Sequence, residues 1–193
     1  MKKGRIIILS GPSGSGKTTL HKMLLQSRLL KGSLVKSISA TTRPPRSQEK
    51  NGVDYLFISP RQFKDRRRRG YFLEWQKVFV HYYGTPIGFV KKLLSSGKNV
   101  LLCIDVKGAK VISRKFPEAL KIFISVPSLK ILKERLKSRG TEDPKELRHR
   151  LETARKEMRE AKHYDHMVVN DRLLSAFRKL EIIVTKELFP SRN

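Results

Sequence analysis

Apolar residues along the chain gather into short dense runs separated by polar stretches. Arg5 to Ser10 (RIIILS), Asn99 to Ile104 (NVLLCI), Leu120 to Val126 (LKIFISV) and Met167 to Asn170 (MVVN) are short, rich in β-branched or large aliphatic residues, and bounded by polar ones. That is the pattern of central strands buried on both faces. Leu34 to Ser39 is a weaker fifth run. Helical signals alternate with these strands. Thr19 to Leu30 reads as a helix, and Thr85 before Pro86, Ser128 before Leu129 and Asp143 before Pro144 each pair a capping side chain with a suitable first turn. Leu147, Leu151, Ala154, Met158 and Ala161 recur at four- and three-residue steps, so Pro144 to His163 predicts an amphipathic helix with a charged outer face. The alternation predicts an α/β fold with a parallel five-stranded sheet flanked by helices.

Two stretches break this rhythm. Residues 39–85 are rich in aromatic residues, prolines and glycines without a long helical period, and predict a β-rich insert. Residues 129–159 are basic and helical, with a break at Gly140 to Pro144 that could hinge. The remainder, 1–38, 86–128 and 160–193, forms the core of one folding unit.

Charge changes the picture next. With 43 Lys plus Arg against 17 Asp plus Glu, the formal net charge is +26, so the surface attracts anions. Phosphorylated ligands fit this, and nucleic acid is a possible, non-specific partner; a solvated basic surface is the plainer alternative. Arg66 to Arg69 reads as such a solvated helix end. Cys103 is the single cysteine, which excludes an internal disulfide, and its apolar run marks it as a core thiol. His21, His81, His149, His163 and His166 are scattered without metal-ligand spacing. The apolar stretch near the start is too short for a signal peptide or membrane span, so a cytoplasmic protein without membrane association is expected.

Gly11, Pro12, Ser13, Gly14, Ser15, Gly16, Lys17 and Thr18 match G-x-x-x-x-G-K-[ST], after a predicted strand and before the helix that Thr19 enters. In such a loop, backbone N–H groups surround phosphates, the lysine reaches the β and γ phosphates, and the threonine hydroxyl is the metal ligand for magnesium. This predicts ATP with Mg2+. Asp105 ends a predicted strand, which places its carboxylate at the carboxyl edge of the sheet, to orient magnesium water or an acceptor. A turn-forming aspartate is the alternative.

Further motifs are linked in order: Ser39-Ala40-Thr41-Thr42-Arg43-Pro44-Pro45-Arg46, Glu49, Asn51-Gly52, Asp54-Tyr55, Phe72-Leu73-Glu74-Trp75, Tyr82-Tyr83-Gly84-Thr85, Ile104 to Gly108, Arg139-Gly140-Thr141 and Val169-Asn170-Asp171. Together they resemble the guanylate kinase (GMP kinase) family over residues 5–188. The resemblance implies a P-loop NTPase type nucleoside monophosphate kinase, with residues 39–85 binding the acceptor and 129–159 forming a lid. Arg43, Arg46, Tyr55 and Tyr83 would hold the GMP phosphate, and Ser39, Glu74 and Thr85 would read the guanine edge near Asp105. Guanine offers an N1–H and an exocyclic amine that one carboxylate accepts together, and adenine lacks that pair. Arg135, Arg139 and Arg150 would neutralise the transferring phosphoryl group, alongside Lys17 and Arg43, and Asn170 would lie near the donor's adenine.

Cys103 stands where many family members carry an acidic residue, and a thiol cannot replace a carboxylate. The implied reaction is direct in-line transfer from MgATP to GMP or dGMP, by a monomer or small homo-oligomer. Non-catalytic relatives that bind phosphopeptides, or a nucleic-acid-binding protein, are the rival readings. Retention of Lys17, Thr18, Arg43, Arg46 and Arg139 weighs against the former.

Overall fold

The computed structural model describes residues 3–78, 80–138 and 144–190. Strand β1 (Ile6–Ser10) is buried along its whole length. The glycine-rich loop leads from it into α1 (Lys17–Gln26), followed by β2 (Leu34–Lys36). Next come β3 (Ala40–Thr41), β4 (Leu56–Phe57), α2 (Pro60–Arg68), β5 (Phe72–Val78) and β6 (His81–Pro86). The chain continues through α3 (Ile87–Ser95), β7 (Asn99–Cys103), α4 (Val106–Lys115), β8 (Leu120–Ser125), α5 (Leu129–Lys137) and α6 (Pro144–Arg159). A 3-10 turn (Glu160–His163), β9 (His166–Val169) and α7 (Leu173–Leu188) complete it.

The five-stranded sheet has the order β2-β7-β1-β8-β9, and every pairing in it is parallel. Strand alternation divides β1 between two cores. Ile7 and Leu9 pack with Leu20 and Leu24 of α1 and Leu180 and Val184 of α7. Ile6 and Ile8 pack on the other face with Val90 and Leu94 of α3 and Ala109 and Ile112 of α4. Each such fully buried aliphatic side chain contributes roughly 1.5–3 kcal/mol relative to exposure. The expectation of central strands holds for β1, β7 and β8. It fails for β9, which is an edge strand: Met167 is 58% exposed, and only the buried Val168 joins the core.

Several predicted ends shift. Helix α1 stops at Gln26, with Ser27 in a non-helical conformation. The predicted Pro144–His163 helix tightens into the 3-10 turn after Arg159. Its apolar stripe serves as expected, Leu147, Leu151 and Ala154 packing on Leu132 and Leu136 of α5. Ser128 caps α5, its Oγ accepting from the Ile131 N–H at 3.3 Å. Thr85 does not cap α3, because its hydroxyl is committed elsewhere. Asp143 lies outside the described residues.

The insert is a second sheet of order β4-β3-β6-β5. It also contains a helix of which the sequence signalled only the basic end, Arg66 to Arg69. Ser59 and Gln62 form a capping box ahead of α2, with Pro60 in the first turn, and only Phe63 of this helix is buried. That ring stacks on Phe72 at 4.5 Å and on Tyr82 at 5.2 Å. A bulge between Phe72 and Glu74 shifts the register of β5 against β6. Phe72 therefore faces α2 together with Trp75, while Glu74, paired with Thr85, faces the opposite side of this sheet.

Candidate active site

The phosphate loop is braced from three directions. Gly16 has φ 87°, in the left-handed region, and a Cβ there would meet the Asn170 amide nitrogen at 2.2 Å. That buried amide donates to the Ser15 carbonyl at 2.8 Å, fixing the loop from the end of β9. On another side Leu132 and Leu136 of α5 lie against Gly14, so the loop touches the root of the α5–α6 pair. Lys17 Nζ donates to the carbonyls of Gly11 and Pro12 at 2.6 and 2.8 Å, which keeps the ammonium over the loop. Ser13 is exposed in the loop, and Thr18 and Thr19 are exposed in the first turn of α1. Asn170, expected near adenine, has its amide committed to the loop at Ser15.

Beside the loop lie carboxylates. Asp105 caps α4, its Oδ1 accepting from the Gly108 N–H at 2.7 Å, and burial pushes its carboxyl above the usual range. The local-structure reading of Asp105 is met by this cap, which leaves its carboxylate at the carboxyl edge of the sheet. Glu157 of α6 faces the same region: burial raises it to about 7, against the opposing pull of Lys17 and Lys107 and with the Asp105 charge adding to the rise. Cys103 is not a fully enclosed core thiol; it is half-buried at the end of β7, within reach of the Thr18 hydroxyl, and burial raises its pKa. Its strand delivers it to the sheet's carboxyl edge, where the core ends.

A magnesium ion accompanying a triphosphate needs few protein ligands, since it keeps several waters and binds phosphate oxygens. The exposed Thr18 hydroxyl, with Asp105 and Glu157 nearby, fits that demand. Among the described residues no cluster of three or more His, Cys, Asp or Glu forms a dedicated cage.

On the insert side, Glu74 is 6% exposed and accepts the Thr85 hydroxyl proton at 2.6 Å. Burial raises its pKa to about 7, the Thr85 bond opposing and the Asp105 charge reinforcing the shift. Gly108 leaves room for it: a Cβ there would sit 2.8 Å from Glu74 Oε2. Arg43 donates to both carboxylate oxygens of Glu49 at 2.8 Å and lies over the Tyr55 ring at 5.7 Å. Tyr55 and Tyr83 meet edge to face at 6.1 Å, and burial raises Tyr55 to about 12. The Arg46 backbone N–H also donates to Glu49, while its side chain is exposed. Ser39 is partly buried where its carbonyl accepts from the Leu56 N–H. Four of the expected phosphate-side residues thus form one cluster around Glu49.

The helical arginines are less gathered. Arg135 donates to the Asp171 carbonyl at 3.2 Å, and Arg150 to Glu146 of its own helix at 2.7 Å. Arg139 lies outside the described residues. Sequence reasoning placed Glu49 in the acceptor-binding stretch without a role and left Glu157 out of the site. Glu49 carried a signal, an acid six residues after Arg43 in a basic loop. Glu157 carried none, being one of several charges on an amphipathic helix.

A parallel sheet with a phosphate loop at its carboxyl edge, an insert presenting one buried carboxylate, and a helical pair rooted on that loop define the class of P-loop nucleoside monophosphate kinases. Comparison with known sequences narrows this. The guanylate kinase family profile matches residues 3–187. The guanylate kinase of Caldanaerobacter subterraneus subsp. tengcongensis is 44% identical over 186 residues, covering 96% of this chain and 89% of that protein. That of Rickettsia prowazekii is 41% identical over 185 residues, covering 96% and 92%. The crystal structure of guanylate kinase from Anaplasma phagocytophilum superposes with a TM-score of 0.78 at 29% identity, covering 97% of this chain and 87% of that one. The chain belongs to the guanylate kinase family.

Proposed function

We propose that the chain transfers the γ-phosphoryl group of MgATP to GMP, and to dGMP, giving ADP and the nucleoside diphosphate. One observation supports the acceptor most directly. Glu74 is a buried carboxylate whose second oxygen is left toward the space that Gly108 keeps open. Two guanine donors would satisfy it, and AMP would leave it unpaired.

The donor phosphates lie in the phosphate loop, with Lys17 leaving its two loop carbonyls for the β and γ oxygens. Thr18 would hold magnesium, which when bound would supply charge neutralisation on the triphosphate. Arg43, Arg46, Tyr55 and Tyr83 take the acceptor phosphate, and Ser39 and Thr85 complete the guanine contacts around Glu74. That phosphate is ionised near neutral pH, its second pKa being about 6, so no general base is required. Arg135, Arg139 and Arg150 of the lid, residues 129–159, come onto the transferring group as lid and insert close. Closure excludes water that would otherwise hydrolyse ATP.

The test is ADP production with MgATP and each of GMP, dGMP, AMP, CMP and UMP, against an acceptor-free control. Turnover confined to GMP and dGMP is expected. Lys17→Ala should lose at least about a hundredfold in kcat, in keeping with removal of one electrostatic stabiliser, with an unchanged circular dichroism spectrum. Equal turnover of AMP, or a fully active Lys17→Ala protein, would overturn the assignment.

A further inference from the structure

The bulge in β5 leaves a second surface on the far side of the insert sheet. Trp75, on the face that α2 covers, is 38% exposed, and Tyr71, at the entry to β5, is 40% exposed. Each ring carries a guanidinium from α2: Arg67 over Trp75 at 4.7 Å and Arg66 over Tyr71 at 5.1 Å. Arg68 and Arg69 extend the run into solvent, and Asp65 is the only acid of α2, engaged with Arg68. Arg66 to Arg69 are the solvated helix end that the sequence indicated, with Arg66 and Arg67 in addition resting on aromatic faces. They and the two rings make a patch in which flat aromatic faces and planar cations alternate.

We infer that this face of the insert binds single-stranded nucleic acid. The chemistry required is a backbone of regularly spaced anions bearing flat groups that stack. Guanidinium groups suit the phosphates, and Trp75 and Tyr71 suit the bases, each stacked base contributing on the order of 1–3 kcal/mol. A bilayer is a poorer match, because Arg66 to Arg69, Tyr71 and Trp75 include no aliphatic side chain to insert, and among the described residues the next exposed one along this hairpin, Val80, sits at the β5–β6 turn. The surface is independent of phosphoryl transfer, since the insert sheet separates Trp75 from Glu74. It also gives a destination to positive charge that a two-nucleotide site leaves unused.

Trp75 is the single tryptophan of the chain, so tryptophan emission, excited at wavelengths that tyrosine does not absorb, reports on this patch alone. The experiment titrates the full-length protein with a fluorescein-labelled oligo(U), and separately oligo(dT), of about 15 nucleotides, on the order of one binding site. Anisotropy follows binding, and quenching of Trp75 follows stacking on the unlabelled strands. Binding at about 50 mM salt is expected, with Trp75 quenched and affinity unchanged by saturating GMP. In the variant Arg67→Gln/Arg68→Gln/Arg69→Gln, affinity should fall at least about tenfold and the slope of log K against log salt should flatten by about 2 for three lost phosphate contacts. GMP phosphorylation by that variant should be unchanged, which also shows that it is folded.

Absence of binding by the wild-type protein overturns the proposal, as does binding that leaves Trp75 unquenched or is indifferent to the triple substitution. Competition by GMP would place the strand in the nucleotide site and overturn it equally. Phosphatidylglycerol vesicles are the last arm: if they shift Trp75 emission while oligo(U) and oligo(dT) do not, the face is a membrane surface instead.

Discussion

Glu74 illustrates how burial makes a side chain selective and expensive at once. Its carboxyl is raised from 4.5 to about 7, chiefly by burial, so the folded protein holds this proton more tightly than the unfolded chain does. The sign follows: ionised Glu74 destabilises the fold, by up to about 3 kcal/mol for a shift of this size, progressively as pH rises from about 4.5 to 7. Glu74→Gln should therefore raise the melting temperature at pH 8 and leave it unchanged near pH 4, as read by thermal unfolding. The same substitution removes the acceptor for two guanine donors, and kcat/KM for GMP should drop by at least about a hundredfold. In the wild-type enzyme KM for GMP should climb as pH falls through about 7, and the Gln variant should lose that component, retaining only the titration of the GMP phosphate. Gly108 is the neighbour that permits this arrangement. Gly108→Ala would press a methyl to 2.8 Å from Glu74 and 3.1 Å from Asp105, so kcat/KM for GMP should fall ten- to a hundredfold, on the order expected for misplaced reacting groups, with ATP affinity retained. Equal losses toward both nucleotides in steady-state kinetics would contradict this placement.

Among the elements, β9 does more than close one edge of the sheet. Its end holds Asn170, whose amide supports the Ser15 carbonyl, and Asn170→Ala would leave that buried oxygen unpaired at about 1–3 kcal/mol. The melting temperature should fall by several degrees, given about 2–4 °C per kcal/mol at this chain length, and KM should rise for ATP more than for GMP. A change confined to GMP would refute the brace. How far such relations could be read from residues depends on what each element buries. Strands β1, β7 and β8 announced themselves because both faces are enclosed, which demands unbroken aliphatic runs. The phosphate loop was equally legible, since its glycines and Lys17 are set by local backbone geometry. Helix α2 was legible only at its basic end, because it buries Phe63 alone and its charge obscures a period; the Ser59-x-x-Gln62 signature after Ile58 was the clue to its start. Thr85 looked like a cap and is instead bonded to Glu74, a partner eleven residues away that only strand pairing could reveal. The Asn170 brace spans 155 residues and left no local trace.

Taken whole, the molecule is a five-stranded parallel sheet carrying a second small sheet and the α5–α6 pair, the latter resting on the phosphate loop. Closure should register as compaction: a fully compact chain of this length has a radius of gyration of about 16 Å. Small-angle scattering should show a larger value without ligands, falling toward it when GMP and a non-hydrolysable ATP analogue are both present. No change with either or both would argue against moving parts. The insert has a further property. Its first and last strands lie side by side, Ala40 opposite Gly84, so the chain leaves the core and re-enters it at nearly one point. With its own aromatic cluster of Phe63, Phe72 and Tyr82, the segment behaves as a cartridge on a fixed engine. Acceptor preference can then diverge by exchanging or rewriting this one stretch, while the machinery that handles ATP is inherited unaltered.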